Sequence, residues 1–309
     1  TVCCSIVAFI ASYFFPEGFN YLYLIPFNKG LTVSPILDAF VDWIWNTFFY
    51  YLNSFNIFLL TNVLGPMKQA YLNMPVISTF VLFMGAGYII GGLRSCLIVG
   101  SLILFIALSE YWDRTLITLY MATFAVGVSA ISGIIVGSLC SQNDFASKSI
   151  LSICDFFQTF PSFIYLIPVI LLFGITDTSV MIAAIVYASV PATRYTVEGL
   201  RSVPSSLHDA GSMSGVSRLQ RWRLIDLPLA LPHIMLGINQ TVIFALMMIV
   251  LGALIGTEDL GQLIMGSLSR PNGAGIGFTL GIFISFICLA ADNLIRTWAD
   301  ERKKLLGIQ

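Results

Sequence analysis

Residues 201–228 read RSVPSSLHDAGSMSGVSRLQRWRLIDLP, a polar and basic segment that lies between two apolar stretches. Pro204 and the serines after it favour the start of a helix, and Gly215 favours its end. The segment therefore predicts a helix of about two to three turns, flanked by helix breakers. Because this helix has too little apolar content to insert into lipid, we expect it to lie outside the membrane as a docking element between two spans.

The composition of the chain predicts that lipid is the solvent for much of its surface. Of its 309 residues, 57% are hydrophobic and 10% are charged, whereas about 25% are charged in a typical soluble domain. The length fits one polytopic domain. The net charge of −1 argues against nucleic acid as a partner. The six cysteines form no C-x-x-C pair, and we expect them to be small buried hydrophobic residues.

Seven apolar stretches are candidates for membrane spans. Each must be helical, because hydrocarbon offers no partner to an open backbone amide. The second and the fifth are shorter than the roughly 20 residues that a span needs. The pattern predicts an all-α polytopic membrane protein. The stretches are 76–93, 95–109, 115–140, 150–174, 179–192, 231–256 and 278–294.

The first 75 residues follow a different pattern. Residues 1–15 are apolar but short for a span, and fit either the stub of a longer helix or part of a signal sequence. Residues 41–64 contain four asparagines and fit either an amphipathic interfacial helix or an irregular span. We therefore divide the chain into an N-terminal apolar segment at 1–40, a membrane-associated segment at 41–75 and a transmembrane domain at 76–309.

The positions of the basic residues predict the orientation of the bundle. The loop 194–226 and the C-terminal tail are both rich in arginine and lysine, so we expect both to be cytoplasmic. Each span changes the side of the membrane. Counting spans from the loop therefore places Arg94 and Lys148 on the cytoplasmic side, and Lys68, Arg114 and Arg270 on the outer side. Eleven basic residues then lie inside and three outside, which makes the topology self-consistent.

The cytoplasmic loop resembles the EAA loop of binding-protein-dependent ABC permeases. That motif reads Glu-Ala-Ala, three residues, Gly, nine residues, an aliphatic, one residue and Leu-Pro. The segments Asp209-Ala210-Gly211, Gly215, Ile225 and Leu227-Pro228 stand at this spacing, with Asp for the usual Glu and Gly for the second Ala. In the family, the loop forms a coupling helix that sits in a groove of the ATPase subunit. The resemblance implies ATPase-coupling roles for Ser205, Leu207, His208, Asp209, Ala210, Gly211, Met213 and Gly215.

A second segment resembles one subgroup of these permeases. Residues 157–168, FQTFPSFIYLIP, are similar to a run in permeases for glycine betaine and related quaternary amines, as are 227–241 and 255–262. The resemblance implies an ABC importer permease of type I-like fold in the bacterial cytoplasmic (inner) membrane. It implies import of an osmoprotectant that is delivered by a periplasmic or lipid-anchored solute-binding protein.

The same resemblance predicts the rest of the assembly. It implies a second permease copy, as a homodimer, and a dimer of ABC ATPase subunits. The chain has no G-x-x-x-x-G-K-[ST] phosphate loop, so we expect it to hold no cofactor itself, with ATP and Mg²⁺ bound by the partner ATPase. It also has no H-E-x-x-H or G-x-S-x-G motif, so we expect no catalytic and no metal-binding residues.

Polar residues within the spans suggest a solute pathway, because buried amides in a membrane usually face the bundle or water. Gln158 and Gln240 lie roughly 12–14 Å from the cytoplasmic face by helical rise, so the two amides could meet. Aromatic, amide and methionine groups suit a compact, weakly held cation. Alternatively, the glutamines only hydrogen-bond neighbouring helices. The pathway interpretation comprises Phe157, Gln158, Phe160, Pro161, Tyr165, Asn239, Gln240, Phe244 and Met247.

Two further expectations concern the same region. Pro161 predicts a kink within its span, and Asp155 is expected either to reach water or to pair with a basic residue of the loop.

Two alternative functions of the protein also stay open. One is an ABC permease for another small solute, and the other, from a different class, is an ion-driven secondary transporter.

Overall fold

A computed structural model of the protein describes residues 34–207 and 213–305. Within these ranges the regular structure is helical and contains no strand, which confirms the predicted all-α class. The described residues 34–48 belong to one compact unit, and the described residues from Phe49 onward belong to a second, larger one. In the first unit, the rings of Phe40 and Trp43 stack with their centroids 6.2 Å apart. Apart from the bounds of the helix Ser34–Phe58, which includes residues of both units, all that follows concerns the second unit.

Eleven α-helices lie in the described part of the chain. They are α1 Ser34–Phe58, α2 Gly65–Leu72, α3 Val76–Ala107, α4 Trp112–Cys140, α5 Asp144–Thr159, α6 Leu166–Phe173, α7 Asp177–Arg201, α8 Arg218–Arg221, α9 Leu227–Gly252, α10 Leu260–Leu268 and α11 Ala274–Leu305. Short π-helical segments at Leu59–Leu64 and Trp222–Asp226, and 3₁₀ turns at Ser162–Tyr165 and Ala253–Ile255, join some of them.

Five of the described helical segments are long and apolar enough to cross a membrane. A sixth candidate consists of α5 together with residues 162–173, which are bent by 106° relative to each other. The five segments are α3, α4, α7, the continuous segment Arg218–Ile255 and α11.

The backbone of α3 turns back on itself in the middle. Gly91 and Gly92 leave the helical conformation, and Gly92 has a φ of +65°, which favours glycine. A Cβ at Gly87 would lie 3.0 Å from the Cα of Cys96, although residues nine positions apart in a straight helix are separated by about 13 Å. The two arms are therefore antiparallel, and the reversal lies next to Arg94, where the sequence divides its first two spans.

The predicted span 150–174 is not one continuous helix. The chain bends by 106° between α5 and residues 162–173, so the apolar stretch forms two helical pieces on either side of Pro161. The predicted kink at Pro161 is confirmed. Phe160, the residue before the proline, is extended with φ −73° and ψ 137°, because a following proline disfavours the helical conformation.

Helix α7 lies at the centre of the bundle and packs most extensively against α9 and α4. Small residues allow the close approach. A Cβ at Gly133 would lie 2.5 Å from the Cβ of Ala192, and one at Gly137 would lie 2.7 Å from the Cβ of Thr196. Glycines four positions apart are typical of helix pairs that pack closely in membranes. The small residues therefore fix the spacing between α4 and α7.

Ion pairs join groups that the predicted topology places on one side of the membrane. Lys68 and Arg114, both predicted to be outside, meet at Glu258. The Lys68 Nζ lies 3.0 Å from the Glu258 Oε2, and the Arg114 Nη1 donates to the Glu258 backbone oxygen at 2.7 Å. Arg201, the last residue of α7, lies at the end predicted to be cytoplasmic, and it pairs with Asp144. The contacts agree with the sidedness drawn from the basic residues.

Candidate functional site

The cytoplasmic loop shows both ends of the predicted docking helix. Residues 205–207 are helical after Pro204, and the Leu207 amide donates to the Pro204 oxygen at 3.1 Å. Met213 is helical, and Gly215 has a φ of +74°, a conformation that glycine adopts at helix C-termini. The described ends therefore lie where the sequence placed them. The predicted coupling residues His208, Asp209, Ala210 and Gly211 lie outside the described residues.

Apolar side chains at the two ends of this helix are exposed. Met213 is 91% exposed, and Leu207 is 38% exposed. Ser205, the first helical residue, is also exposed. Both described ends of the loop segment therefore present apolar side chains to their surroundings.

A rigid connection joins this loop to the span that follows. The Ser217 hydroxyl accepts from the Gln220 amide at 3.3 Å, and the Gln220 side chain accepts from the Ser217 amide at 2.9 Å. This reciprocal capping box fixes the start of α8. From Arg218 the chain is helical without a break to Ile255, so one helical segment connects the end of the loop with the membrane span.

Four aromatic rings from α5, the 3₁₀ turn, α7 and α9 form a continuous series that we call the aromatic row. It consists of Phe157, Tyr165, Tyr187 and Phe244. Successive ring centroids lie 6.1 Å, 5.2 Å and 4.8 Å apart. The Tyr187 and Phe244 rings are stacked with an interplanar angle of 15°. The Tyr165 hydroxyl donates to the Phe157 backbone oxygen, so the row also joins the two sides of the bend.

A cavity lies at the Phe157 end of the aromatic row. It has a volume of about 220 Å³ and lies between α4, α5 and α7. Apart from apolar groups, its wall includes the hydroxyls of Ser132, Ser189 and Thr193 and the thiol of Cys154. The hydroxyl oxygens of Ser189 and Thr193 donate to carbonyls within α7. The cavity therefore presents a weakly polar surface beside aromatic rings.

The predicted pathway residues fall into three groups in the structure. Phe157, Tyr165 and Phe244 belong to the aromatic row. Asn239 is buried and donates to Asp292 at 2.6 Å, which ties α9 to α11. The other members are exposed or half-buried and lie outside the row: Gln158, Phe160, Pro161, Gln240 and Met247.

The Gln158 amide is part of an ion-pair network centred on Arg194. The Arg194 Nη1 lies 2.5 Å from the Asp155 Oδ1 and 3.3 Å from the Gln158 Oε1. The Arg194 Nε lies 3.0 Å from the Glu198 Oε1. Asp155 is thus paired with a basic residue, one of the two outcomes expected for it. No hydrogen bond joins Gln158 to Gln240 among the described residues.

Two residues of this region were missed by the sequence analysis. Tyr187 links Tyr165 to Phe244, and Arg194 links α5 to α7. The signal for Tyr187 is a lone tyrosine within the apolar stretch 179–192, because a buried tyrosine in a span has a polar end to satisfy. Arg194 was assigned to the loop, whereas it lies within α7.

Two adjacent carboxyl groups, those of Glu258 and Asp259, lie at the end of the bundle away from the cytoplasmic loop. Their pKa values are shifted in opposite directions. Glu258 pairs with Lys68, and this ion pair lowers the pKa of its carboxyl. Asp259 is fully buried, and burial raises the pKa of its carboxyl to about 6. The Asp259 Oδ1 accepts from the Gln262 amide at 3.0 Å and so caps α10.

Several apolar helices long enough to cross a membrane, with a polar and basic loop between two of them, define a polytopic membrane protein. Residues 129–303 match the family of binding-protein-dependent transport system inner membrane components, and the chain belongs to this family. It is therefore a multi-pass transport component rather than an enzyme. The family membership confirms the resemblance drawn from the EAA-type loop.

Relatives of known name cover most of the chain. The trimethylamine N-oxide transport system permease protein TmoV of Pelagibacter ubique is 58% identical over 303 residues, 98% of this chain and 42% of that protein. The glycine betaine transport system permease protein OpuAB of Bacillus subtilis is 30% identical, over 88% of this chain and 96% of that protein. The glycine betaine/proline betaine permease ProW of Escherichia coli is 30% identical, over 90% of this chain and 78% of that protein. The chain spans about two fifths of the length of TmoV, 42% of it in both Pelagibacter ubique and Ruegeria pomeroyi.

Proposed function

We propose that the chain is the membrane-spanning permease part of an ATP-driven importer for a small methylated amine. The aromatic row is the observation that supports this choice of solute. Its four rings are contributed by three helices and a turn around the bend, so helix movements change the spacing between rings. A solute that binds ring faces is therefore held in one arrangement and released in another.

The chemistry of the row suits a methylated ammonium group. Aromatic faces attract such cations through the ring quadrupole, and they do so without a fixed anion that would hold the cation too tightly for release. The relative TmoV is named for trimethylamine N-oxide, and OpuAB and ProW are named for glycine betaine. Both solutes carry methyl groups on a positive nitrogen. We extend the proposal to both, with glycine betaine as the finer assignment drawn from the sequence.

The remaining partners follow from the loop. We propose that residues 204–215 contact an ABC ATPase dimer, which binds the ATP and Mg²⁺, and that closure of this dimer drives alternating access. A second permease copy, as a homodimer, and a solute-binding protein complete the assembly. The exposed Met213 and the unbroken helical segment from Arg218 to Ile255 support this arrangement.

Uptake by vesicles that contain the complete assembly tests the proposal. We expect labelled trimethylamine N-oxide and glycine betaine to enter only when ATP is supplied, with no effect of ionophores. Tyr187→Ala should reduce uptake by roughly tenfold, on the scale of one desolvated cation–π contact, whereas Tyr187→Phe should retain most of it because the ring is kept.

Phe105→Leu is the matched control, since Phe105 contacts Phe283 and Phe286 outside the aromatic row. It should leave uptake unchanged. Uptake by the chain alone, sensitive to ionophores and indifferent to ATP, would instead identify an ion-driven secondary transporter. Wild-type uptake by Tyr187→Ala would remove the aromatic row from the pathway.

A further inference from the structure

Helix α5 is attached to the bundle with little buried surface. Two of its sixteen residues are buried, Ser147 and Cys154, whereas more than half of the residues of α7 are buried. The cavity of about 220 Å³ lies between α5 and its neighbours α4 and α7, and Cys154 forms part of its wall. Protein interiors are usually close-packed, so the incomplete packing beneath α5 leaves this helix room to move.

Two arginines of α7 join α5 to the bundle through ion pairs. Arg194 pairs with Asp155, and Arg201 pairs with Asp144 at the start of α5. The Arg201 guanidinium also donates to the Ser147 hydroxyl at 2.9 Å. Residue numbers rise along α5 as they fall along α7, so the two helices are antiparallel. Polar contacts therefore fasten α5 to α7 at two separate points.

Arg194 has one carboxylate partner on each helix. Its Nη1 lies 2.5 Å from the Asp155 Oδ1 on α5, and its Nε lies 3.0 Å from the Glu198 Oε1 on α7 itself. When α5 moves away, Arg194 keeps Glu198, so its charge stays paired. The side chain of Asp155 is 60% exposed, and an ion pair between partly exposed groups contributes little to stability. The contact between Arg194 and Asp155 can therefore break and form again within a transport cycle.

The chain has a break in its helical structure where α5 ends. Phe160 is extended, and residues 162–173 continue at 106° to α5. Hinges are usually a few residues at the end of an element, which absorb the change of backbone angles. Phe157, three positions before the break, contacts Tyr165 beyond it in the aromatic row. Rotation of α5 at Phe160 and Pro161 therefore changes the distance between these two rings.

We propose that α5, Asp144–Thr159, is a hinged arm that closes the cytoplasmic side of the solute path, and that the ion pair between Arg194 and Asp155 is its latch. This inference rests on the proposed function, since it gives α5 a role in the solute path. When the arm rotates away from α7, the latch breaks and the cavity beneath the arm widens. Phe157 then leaves Tyr165, so a solute on the aromatic row loses one ring and gains an exit.

A reversible cross-link between α5 and α7 tests the movement. The Cys154 Sγ lies 3.9 Å from the Val190 backbone oxygen, and both residues line the cavity. In a chain that keeps Cys154 and has its other five cysteines replaced by alanine, Val190→Cys supplies a second thiol. A short bifunctional methanethiosulfonate reagent joins the two thiols in the complete assembly, and a reductant releases them.

We expect ATP-driven uptake of trimethylamine N-oxide to be lost on cross-linking and to return after reduction. The same chain without Val190→Cys is the matched control, because a single thiol cannot be bridged to α7, and its uptake should be retained. Full uptake by the cross-linked protein would overturn the hinged arm. Absence of ATP-driven uptake by the wild type would instead contradict the proposed function.

The rate at which N-ethylmaleimide labels Cys154 tests the latch and needs no solute. Arg194→Gln should raise this rate by up to about fivefold, the scale of one partly exposed ion pair, because the buried thiol becomes accessible when the arm opens. Loss of the nearby positive charge by itself slows the reaction, since the thiolate is the reactive species. Arg296→Gln makes the same change within α11, where Arg296 pairs with Asp292, and should leave the rate unchanged. A rate that is equal or lower in Arg194→Gln would overturn the latch.

Discussion

At the scale of single residues, Gly215 has a constrained backbone in the cytoplasmic loop. Its φ of +74° is a conformation that glycine adopts freely and asparagine tolerates. Proline cannot adopt it, because the ring fixes φ near −65°. The end of the proposed coupling helix therefore depends on one backbone angle.

This constraint leads to a prediction for transport. Gly215→Pro should abolish ATP-driven uptake, because the helix end and the entry into α8 are displaced, while the protein still inserts into the membrane. Gly215→Asn should retain most of the uptake. Uptake is measured in vesicles, and insertion is checked by the amount of protein in the membrane fraction. Wild-type uptake by Gly215→Pro would show that the loop does not transmit the motion, and charge reversal at Asp209 tests the same surface independently.

The two carboxyls at the outer end, Asp259 and Glu258, contribute to stability with opposite signs. Burial raises the Asp259 pKa to about 6 from an ordinary value of 3.8, so the folded state holds its proton more tightly than the unfolded state. This contribution to stability is present below about pH 4 and is lost as the pH rises to about 6, by roughly 3 kcal/mol. The lowered Glu258 pKa acts the other way, and its contribution is lost as the pH falls below about 4.5.

Thermal unfolding in detergent between pH 3 and 7 should separate the two groups. Relative to the wild type, Asp259→Asn should become more stable as the pH rises, because the amide keeps the cap of α10 without burying a charge. Glu258→Gln should become less stable over the same range, because it lacks the ion pair with Lys68. Parallel curves for the two variants would contradict this assignment.

At the scale of elements, the contact between α4 and α7 depends on the absence of side chains on α4. A Cβ at Gly137 would lie 2.7 Å from the Cβ of Thr196 and 2.8 Å from the Thr193 oxygen. Ten positions earlier in the same helix, a Cβ at Gly127 meets no atom within 4 Å. The two glycines therefore differ in packing while sharing a helix.

Gly137→Ala and Gly127→Ala form a matched pair for this contact. Gly137→Ala should lower the free energy of unfolding by about 1–3 kcal/mol through overpacking. Gly127→Ala should be neutral or stabilising by up to about 1 kcal/mol, since alanine favours the helix more than glycine does. Thermal unfolding of both variants in detergent provides the comparison. Equal unfolding temperatures would show that α4 and α7 are not held at this distance by Gly137.

The elements also show how far the sequence predicts the structure. The ends of the loop helix at Ser205 and Gly215 and the kink at Pro161 were predictable, because each depends on the local chemistry of one or two residues. The bend of 106° was not, since packing sets the angle that a proline permits. Tyr187 was missed because its place in the aromatic row depends on the register of α7 against α5 and α9, which no local pattern encodes.

At the scale of the whole molecule, the helical bundle has the cytoplasmic loop at one end and the carboxyl groups of Glu258 and Asp259 at the other. The cytoplasmic loop connects without a break to the transmembrane segment that ends at Ile255. On α9, Phe244 belongs to the aromatic row, whereas Val242 and Leu246 on the opposite face line an apolar cavity of about 340 Å³.

The central claim is that a nucleotide-hydrolysing partner moves this bundle through residues 204–215. A photo-crosslinking amino acid placed at Met213, which is 91% exposed, tests it most directly in the complete assembly. Leu108, 80% exposed at the opposite end of the bundle, provides the control position. We predict covalent adducts between position 213 and the ATPase subunit, and none from position 108. An intact assembly in which position 213 forms no adduct with the ATPase, or forms adducts only with lipid, would contradict the account.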